Sequence, residues 1–388
     1  MSLQYPLLFP YGEDGYRIDL NWVTNHVTEQ SSRKRISMRA FYCYQLQQRL
    51  DQGNTLFRSG RLFQQYLVDA YASVEEDRLD YIRKNQKTLR SEIYQGIQDA
   101  VLKGDTDANA IGKRIILPSS HTGSPRYMIQ NYQDAMAICR QYGNPDLFIT
   151  FTCNPKWPEI IRALSIIPGQ KPEDRPDIIA RIFKMKLNEM LATIKSGTIF
   201  GKIIADLYVV EFQKRGLPHC HFLFWLHPEE KIREPSQIDK LISAEIPNPK
   251  EDPLGYNIVA EFMMHGPCGL AKTNAQCMKN SICSKKFPKQ IRNETIIEEN
   301  GIINYKRRNT NYYVEKENIK LDNRFVVLYN IELCLKFCAH INTEICSQSV
   351  LIKYLFKYLA KGPDRVRAIL EDNIYVDSFG HINYQEID

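Results

Sequence analysis

The stretch "EFQKRGLPHCHFLFWL" (residues 211–226) joins the end of one apolar segment, "IADLYVVEFQ" (204–213), to another, "HCHFLFWLH" (219–227). Both are rich in β-branched and aromatic residues, and "KRGLP" between them supplies the glycine and proline that tight turns use. The expectation is a β-hairpin, and with it an antiparallel sheet. Side chains alternate along a strand, so His219 and His221 leave the same face. Glu211 and Gln213 share one face of the preceding strand, within reach of the histidines. Neutral imidazole is a common ligand for divalent cations, but two rings alone leave a metal under-coordinated. Glu211 would add charge suited to Mg²⁺ or Mn²⁺, and Gln213 a neutral oxygen. The plainer alternative is two polar residues facing solvent.

A chain of 388 residues exceeds one ordinary domain, and 43% hydrophobic with 25% charged residues is a globular composition. No run of about 18 apolar residues occurs, so no membrane span is expected. The opening "MSLQYPLLFPYGEDGY" lacks the basic and apolar regions of a secretory signal. Without one, the ten cysteines read as reduced thiols or metal ligands rather than disulfides. The closing "GHINYQEID" gives no sign of a natural end, so the chain reads as a piece of something longer. The net charge of +6 is compatible with a polyanionic partner. Basic clusters beside aromatics, "SSRKRISMRAF", "CSKKFPKQIR" and "NYKRRNTNYY", also fit ordinary solvated surface.

Outward from the hairpin, apolar residues at three- and four-residue steps predict a helical front section over 30–105, closed by Gly104. A loop is expected over 115–130, a short helix over 131–143, a strand over 146–152 and an amphipathic helix over 175–197. On that helix Ile179, Ile182, Phe183, Leu187, Met190 and Leu191 share a face. Residues 238–312 look irregular, "RFVVLYN" and "FCAHINTEI" read as strands, and 347–362 as a helix stopped by Gly362 and Pro363. The pattern is α+β with a mainly antiparallel sheet flanked by helices. The expected divisions are a helical N-terminal region over 1–144, a core over 145–365 with a Cys/His-rich insertion at 238–312, and an incomplete segment over 366–388.

A second chemical element lies in "KYLFKYLAKG" (353–362), where Tyr354 and Tyr358 stand at i and i+4 on one helix face. An aromatic pair packed on a core is the plainer reading. A tyrosine hydroxyl is a weak nucleophile at neutral pH, and it becomes useful when a metal polarises the electrophile and a cation favours phenolate. Lys353 and Lys357 are candidates for that cation. Combined with the histidines, the elements suggest in-line attack on a phosphodiester, leaving a 5′-phosphotyrosyl link and a free 3′-OH.

These motifs resemble the Rep endonuclease domain of Helitron transposases, members of the HUH nuclease superfamily, whose His-U-His motif stands here as His219-Cys220-His221. The similarity extends through "YPLLFPYGEDGY", "LPSSHTGSPRYMIQNYQDAMAICRQYGNPDLFITFTCNPKWPEI", "MMHGPCG", "CMKNSICSKKFPK" and "HINTEICSQSVLIKYLFKYLAKG". It implies His219 and His221 as metal ligands, Tyr354 and Tyr358 as paired nucleophiles, and single-stranded DNA at transposon ends and targets as the partner. The third ligand would be Glu211, or Gln213 if the hairpin register shifts by two. Thr152 and Asn154, then His340, Asn342 and Glu344, would border the site. Leu328 stands where proline is expected, and Cys220 is a small apolar U residue. A nuclear location is implied, although no targeting signal is identified. Family members continue into a helicase domain, but no Walker A sequence occurs here, so the chain reads as an excised domain or captured copy. Two rivals remain: a catalytically inactive DNA-binding module, and a metal-dependent nuclease using water.

The insertion "HGPCGLAKTNAQCMKNSICSKKFPK" offers His265, Cys268, Cys277 and Cys283. Their spacing matches no standard finger, yet four N/S ligands in an irregular segment suit structural zinc, against separate reduced thiols. Lys285, Lys286 and Lys289 beside them could face DNA phosphates. Arg126, Arg307, Arg308 and Arg324 are further candidates for contacts that would combine charge with base stacking.

Overall fold

The computed structural model describes residues 1–22, 34–49, 53–86, 88, 115–213, 216–299 and 301–346, together with the backbones of two short strands, Ile374–Val376 and Ile382–Tyr384. The centre is the hairpin. Strands β2 (Ile203–Phe212) and β3 (Pro218–Leu226) pair antiparallel, with Glu211 opposite His219 and Val209 opposite His221. Strand β1 (Leu147–Thr152) pairs antiparallel with β3 on its other side, placing Thr152 opposite His219 and Thr150 opposite His221. The strand Ile341–Ile345 then pairs antiparallel with β1, with Asn342 opposite Thr150. This strand is β10, since three two-stranded ribbons intervene in the chain: β4–β5 (Met278–Lys279, Ile282–Cys283), β6–β7 (Ile296–Ile297, Ile303–Asn304) and β8–β9 (Val314–Lys316, Ile319–Leu321). The sheet order is β10-β1-β3-β2, all antiparallel.

Eight helices occur among the described residues. Near the front stand α1 (Met38–Gln45), α2 (Arg61–Lys84) and α3 (Pro125–Tyr142). Between β1 and β2 lie α4 (Pro158–Leu164) and α5 (Pro176–Lys195). The insertion begins with α6 (Pro235–Leu241) and α7 (Pro253–Phe262), and α8 (Ile331–Phe337) precedes β10. The fold is thus α+β. Alternation decides the sheet's two faces. Leu147, Ile149 and Phe151 of β1 and Cys220, Phe222 and Phe224 of β3 enter the main core, where Phe183, Leu187 and Met190 of α5, Val259 of α7 and Leu333 and Phe337 of α8 meet them. On the other face Leu223 and Trp225 pack with Ala135 of α3. That cluster reaches Phe148, which stacks on His221, and Val209, which stands opposite it, so the histidines lie at its end on the same face.

Several expectations shift. The front section holds two helices, α1 and α2, with a 3-10 turn at Leu56–Arg58 between them. Gly104 and the expected helix over 347–362 lie outside the described residues. Helix α3 starts at Pro125, inside the expected loop, because Ser124 caps it by accepting the Tyr127 N–H and Pro125 occupies the first turn. On α5 the fully buried set is Ile178, Ile179, Phe183, Leu187, Met190 and Ile194, with Ile182 and Leu191 at its margin. The stretch "RFVVLYN" is not a regular strand. Asp322 accepts the Arg324 N–H and turns Asn323–Phe325 into a 3-10 turn, while Val326 and Tyr329 form isolated bridges to Met264 and Ser243. In "FCAHINTEI", Phe337 ends α8, Cys338 is left-handed at φ 44°, and the strand begins at Ile341. Leu328 uses its carbonyl to accept the Thr343 N–H.

The front helices have their own cluster, with Tyr5, Tyr42, Phe57, Phe63 and Tyr66, which also takes in Ile167 from beyond α4. Arg175 fastens this cluster to the start of α5. It is 1% exposed, pairs with Asp177 at 2.9 Å, and lies 4.6 Å from the Phe57 ring centre.

Candidate functional site

The free end of the sheet face is built by four strands. β3 contributes His219 and His221, whose ring centres are 4.5 Å apart, and β2 contributes Glu211, whose Oε2 is 3.8 Å from His221 Nε2. β1 contributes Thr150, Thr152 and Phe148. Thr152 Oγ1 is 2.7 Å from His219 Nδ1, and Phe148 stacks on His221 with an interplanar angle of 14°. From the β10 side come His340, whose carbonyl accepts the Thr152 N–H, and Asn342, whose amide donates to Glu344. Burial, reinforced by His221, His340 and Lys285, pulls the His219 pKa down to about 3; burial pulls His221 down to about 4. Both rings are therefore neutral at physiological pH, the state a metal ligand needs. A hydrogen bond between Thr152 and His219 and a stacked Phe148 hold them in orientation, as supporting residues do around metal-binding histidines. Phe148 was not among the expected site residues. The alternation of "FITFT" with Thr152 contains the signal.

A second cluster stands in the insertion. The ligand atoms of His265, Cys268, Cys277 and Cys283 all lie within 4.8 Å of one another, and Cys283 Sγ is 3.3 Å from His265 Nε2. Among the described residues this is the group of three or more His, Cys, Asp or Glu side chains drawn that close together. The unusual Cys-x5-Cys spacing closes because Asn280 (φ 50°) and Ser281 (φ 63°) turn the β4–β5 ribbon in two left-handed residues, bringing Met278 opposite Cys283. Asparagine tolerates that conformation, which is where the sequence signal lay. Burial raises the Cys283 thiol, but backbone N–H groups of Phe287 and Lys285 at its sulfur outweigh this and hold it below the usual thiol range. His265 stacks on Phe287 at 4.2 Å between ring centres. Gly266 sits at φ 101°, and a Cβ there would come within 3.2 Å of the Cys268 nitrogen, so the chain needs glycine between the two ligands. Four N/S donors at these separations could hold a metal such as zinc.

Residues 41–224 match the family described as "Helitron helicase-like domain at N-terminus". This segment is similar to the Helitron-like N-terminal domain. The match includes β1, β2, most of β3 and both histidines of the sheet face. No curated protein matches the chain. No helix among the described residues is long and apolar enough to cross a membrane.

The remaining candidates fall in different places. Tyr354, Tyr358, Lys353 and Lys357 lie outside the described residues. Gln213 is exposed beyond the end of β2, with its backbone N–H bonded to the Leu217 carbonyl in the turn, whereas Glu211 faces the histidines. Asn154 does not open onto the site: its amide donates to the Cys338 carbonyl and its oxygen accepts the Lys156 N–H, so it fastens a turn. Arg307 is a correction. It is 5% exposed, and one guanidinium nitrogen serves the carbonyls of Asn323 and Val326 at 2.8 and 2.7 Å, which rules out phosphate contact. Arg307→Ala should destabilise the fold by about 3 kcal/mol, through unsatisfied buried carbonyls, and leave oligonucleotide affinity per folded molecule unchanged. Denaturant unfolding and a binding titration on the same sample check both. Arg308 forms a forked pair with Glu245, with contacts of 2.9 and 2.6 Å, and Arg324 pairs with Asp322 at 2.8 Å. Both stay solvent-accessible, as does Arg126, while Lys285 and Lys286 are exposed beside the cysteine cluster.

The depressed histidines make a pH prediction. In the unfolded chain each ring takes a proton near pH 6.5, whereas in the fold they resist it to about 3 and 4. Below pH 6.5 the unfolded state binds more protons, so this stability is complete above that pH and is lost as pH falls. Without added divalent cation, the protein should lose about 2 kcal/mol more than a His219→Asn/His221→Asn variant between pH 7.5 and 5.5. Chemical unfolding at the two pH values reads the difference.

Proposed function

We propose that the chain is the metal-dependent single-strand DNA endonuclease and strand transferase of a Helitron transposase, with the four-stranded sheet as an HUH nuclease core. The observation that carries this reading is the proximity of His219, His221 and Glu211 at one end of a sheet face, with both rings neutral. These three would hold Mg²⁺ or Mn²⁺, with Glu211 favoured over Gln213 by its position across from His219. When bound, the ion would polarise a non-bridging oxygen of the scissile phosphate.

Tyr354 or Tyr358 would supply the nucleophile. Its phenolic oxygen forms a bond to phosphorus as the bond to the 3′ oxygen breaks; the phenol gives up its proton and the departing 3′ oxygen gains one. Lys353 and Lys357 would favour the phenolate. A second tyrosine lets one molecule hold a 5′ end while making another cut. The His265–Cys268–Cys277–Cys283 cluster would hold structural zinc and present Lys285 and Lys286 to phosphates, and the site of action would be nuclear.

The test is incubation of single-stranded oligonucleotide with the protein and Mg²⁺ or Mn²⁺. The expected product is a nicked strand with protein covalently linked at the 5′ end, absent in Tyr354→Phe/Tyr358→Phe. Cleavage without adduct would instead mean a water-using nuclease, and binding without cleavage a DNA-binding module.

A further inference from the structure

We propose that the outer surface formed by the end of α1, α5 and the edge strand β2 is a second track for single-stranded nucleic acid, separate from the histidine face. Bases would stack on Tyr44, Tyr208 and Phe212, and Arg181 and Lys184 would hold phosphates. This rests on the reading that the chain handles single-stranded DNA.

Alternation sets the track apart from the candidate site. Tyr208 stands opposite Phe222 and Val210 opposite Cys220, and both partners enter the main core. Tyr208, Val210 and Phe212 therefore leave the sheet on the face away from Glu211 and the histidines. β2 is the last strand of the order β10-β1-β3-β2, and the row stays open at this edge: Tyr208 and Val210 are exposed and Phe212 is 63% exposed. Aromatic rings shown to water along a sheet edge mark a contact surface.

Charge decides the partner. Lys184 of α5 reaches the row, with Nζ 3.4 Å from the Tyr208 hydroxyl oxygen and 5.5 Å from its ring centre. Three residues earlier, Arg181 donates to the Leu46 carbonyl at 2.8 Å, which carries the surface to the end of α1. There Tyr44 is exposed, and the Arg49 guanidinium lies 3.4 Å over its ring. Among the described residues neither Arg181 nor Lys184 has a carboxylate partner, whereas Lys186 and Lys195 of the same helix pair with Glu159 and Asp206. Flat rings interleaved with unneutralised cations match a strand that carries a base and a phosphate at each step. The strand is single, because a duplex keeps its base faces stacked inside.

The experiment is photocrosslinking of the full chain to a single-stranded oligonucleotide carrying 5-iodouracil, beside binding titrations with the same strand, both without divalent cation. Crosslinks are expected at Tyr44, Tyr208 or Phe212. Tyr208→Leu/Phe212→Leu, which keeps apolar cover over Phe222, should bind at least about tenfold more weakly, and Tyr208→Phe should bind normally. Arg181→Gln/Lys184→Gln should flatten the slope of log affinity against log salt by about 1.4, the share of two phosphates on a single strand. Crosslinks confined to other residues, or unchanged affinity in Tyr208→Leu/Phe212→Leu, would overturn the track and leave the nuclease reading intact. So would a dimer of the chain that this variant abolishes without weakening the strand, since the row would then join two copies. No oligonucleotide binding at all would overturn both. Because the crosslink map needs no substitution, a variant that folds poorly leaves the test decisive.

Discussion

Replacing His219 and His221 together by alanine is expected to lower the nicking rate at least about a thousandfold, equivalent to about 4 kcal/mol of transition-state stabilisation. Glu211 would remain, but one carboxylate on an edge strand holds a divalent cation poorly. Each single substitution should therefore cost nearly as much as the pair, since ligands of one ion act as a unit. Affinity for single-stranded oligonucleotide should stay within about threefold, because phosphate contacts by lysine and arginine supply most of it. Gln213→Ala, at an exposed position past the strand end, should cut normally. Single-turnover nicking beside a binding titration checks the set. A double variant that still forms adduct at the normal rate would remove the histidines from the reaction.

Removing the metal from the cysteine cluster is expected to unfold the insertion while the sheet survives. Around this cluster the chain has little apolar material of its own: Leu270 is fully exposed and Ile282 is 70% exposed, while Cys268 and Cys283 are buried. Structural zinc in small modules contributes about 10–16 kcal/mol at neutral pH, far more than such a segment could recover by packing. The sheet, in contrast, rests on a core running from Leu147 and Phe151 to Met190 and Phe337. Metal analysis should give one zinc per chain, falling sharply in Cys277→Ser. Limited proteolysis should then cut that variant between residues 266 and 290 and spare β1 to β3. Substoichiometric zinc with the segment still protected would end the idea of a structural ion.

How much of this was legible in the sequence depended on whether the deciding interaction was local. The hairpin, β1 and α5 were, because alternation and the helical repeat are properties of neighbouring residues. The start of α3 was legible too, in Ser124 and Pro125, but its capping signal was outweighed by the loop-like composition before it. Helix α8 was marked only by Asn330, which caps it by accepting the Leu333 N–H. Arg307 lay in a basic run and looked like surface. Its burial depends on the carbonyls of Ala244, Asn323 and Val326, which come from distant parts of the chain.

By itself the sequence determined that His219 and His221 share a strand face and that a hairpin brings Glu211 and Gln213 near them, because those relations follow from a period of two and one tight turn. Only the tertiary structure decided which partner faces the rings, since register across the hairpin sets Glu211 opposite His219 and leaves Gln213 in the turn. It alone also set Phe148 against the His221 ring and the Thr152 hydroxyl against His219. That grouping depends on strand order, which hydrogen bonds between segments far apart in the chain fix and which no local pattern encodes.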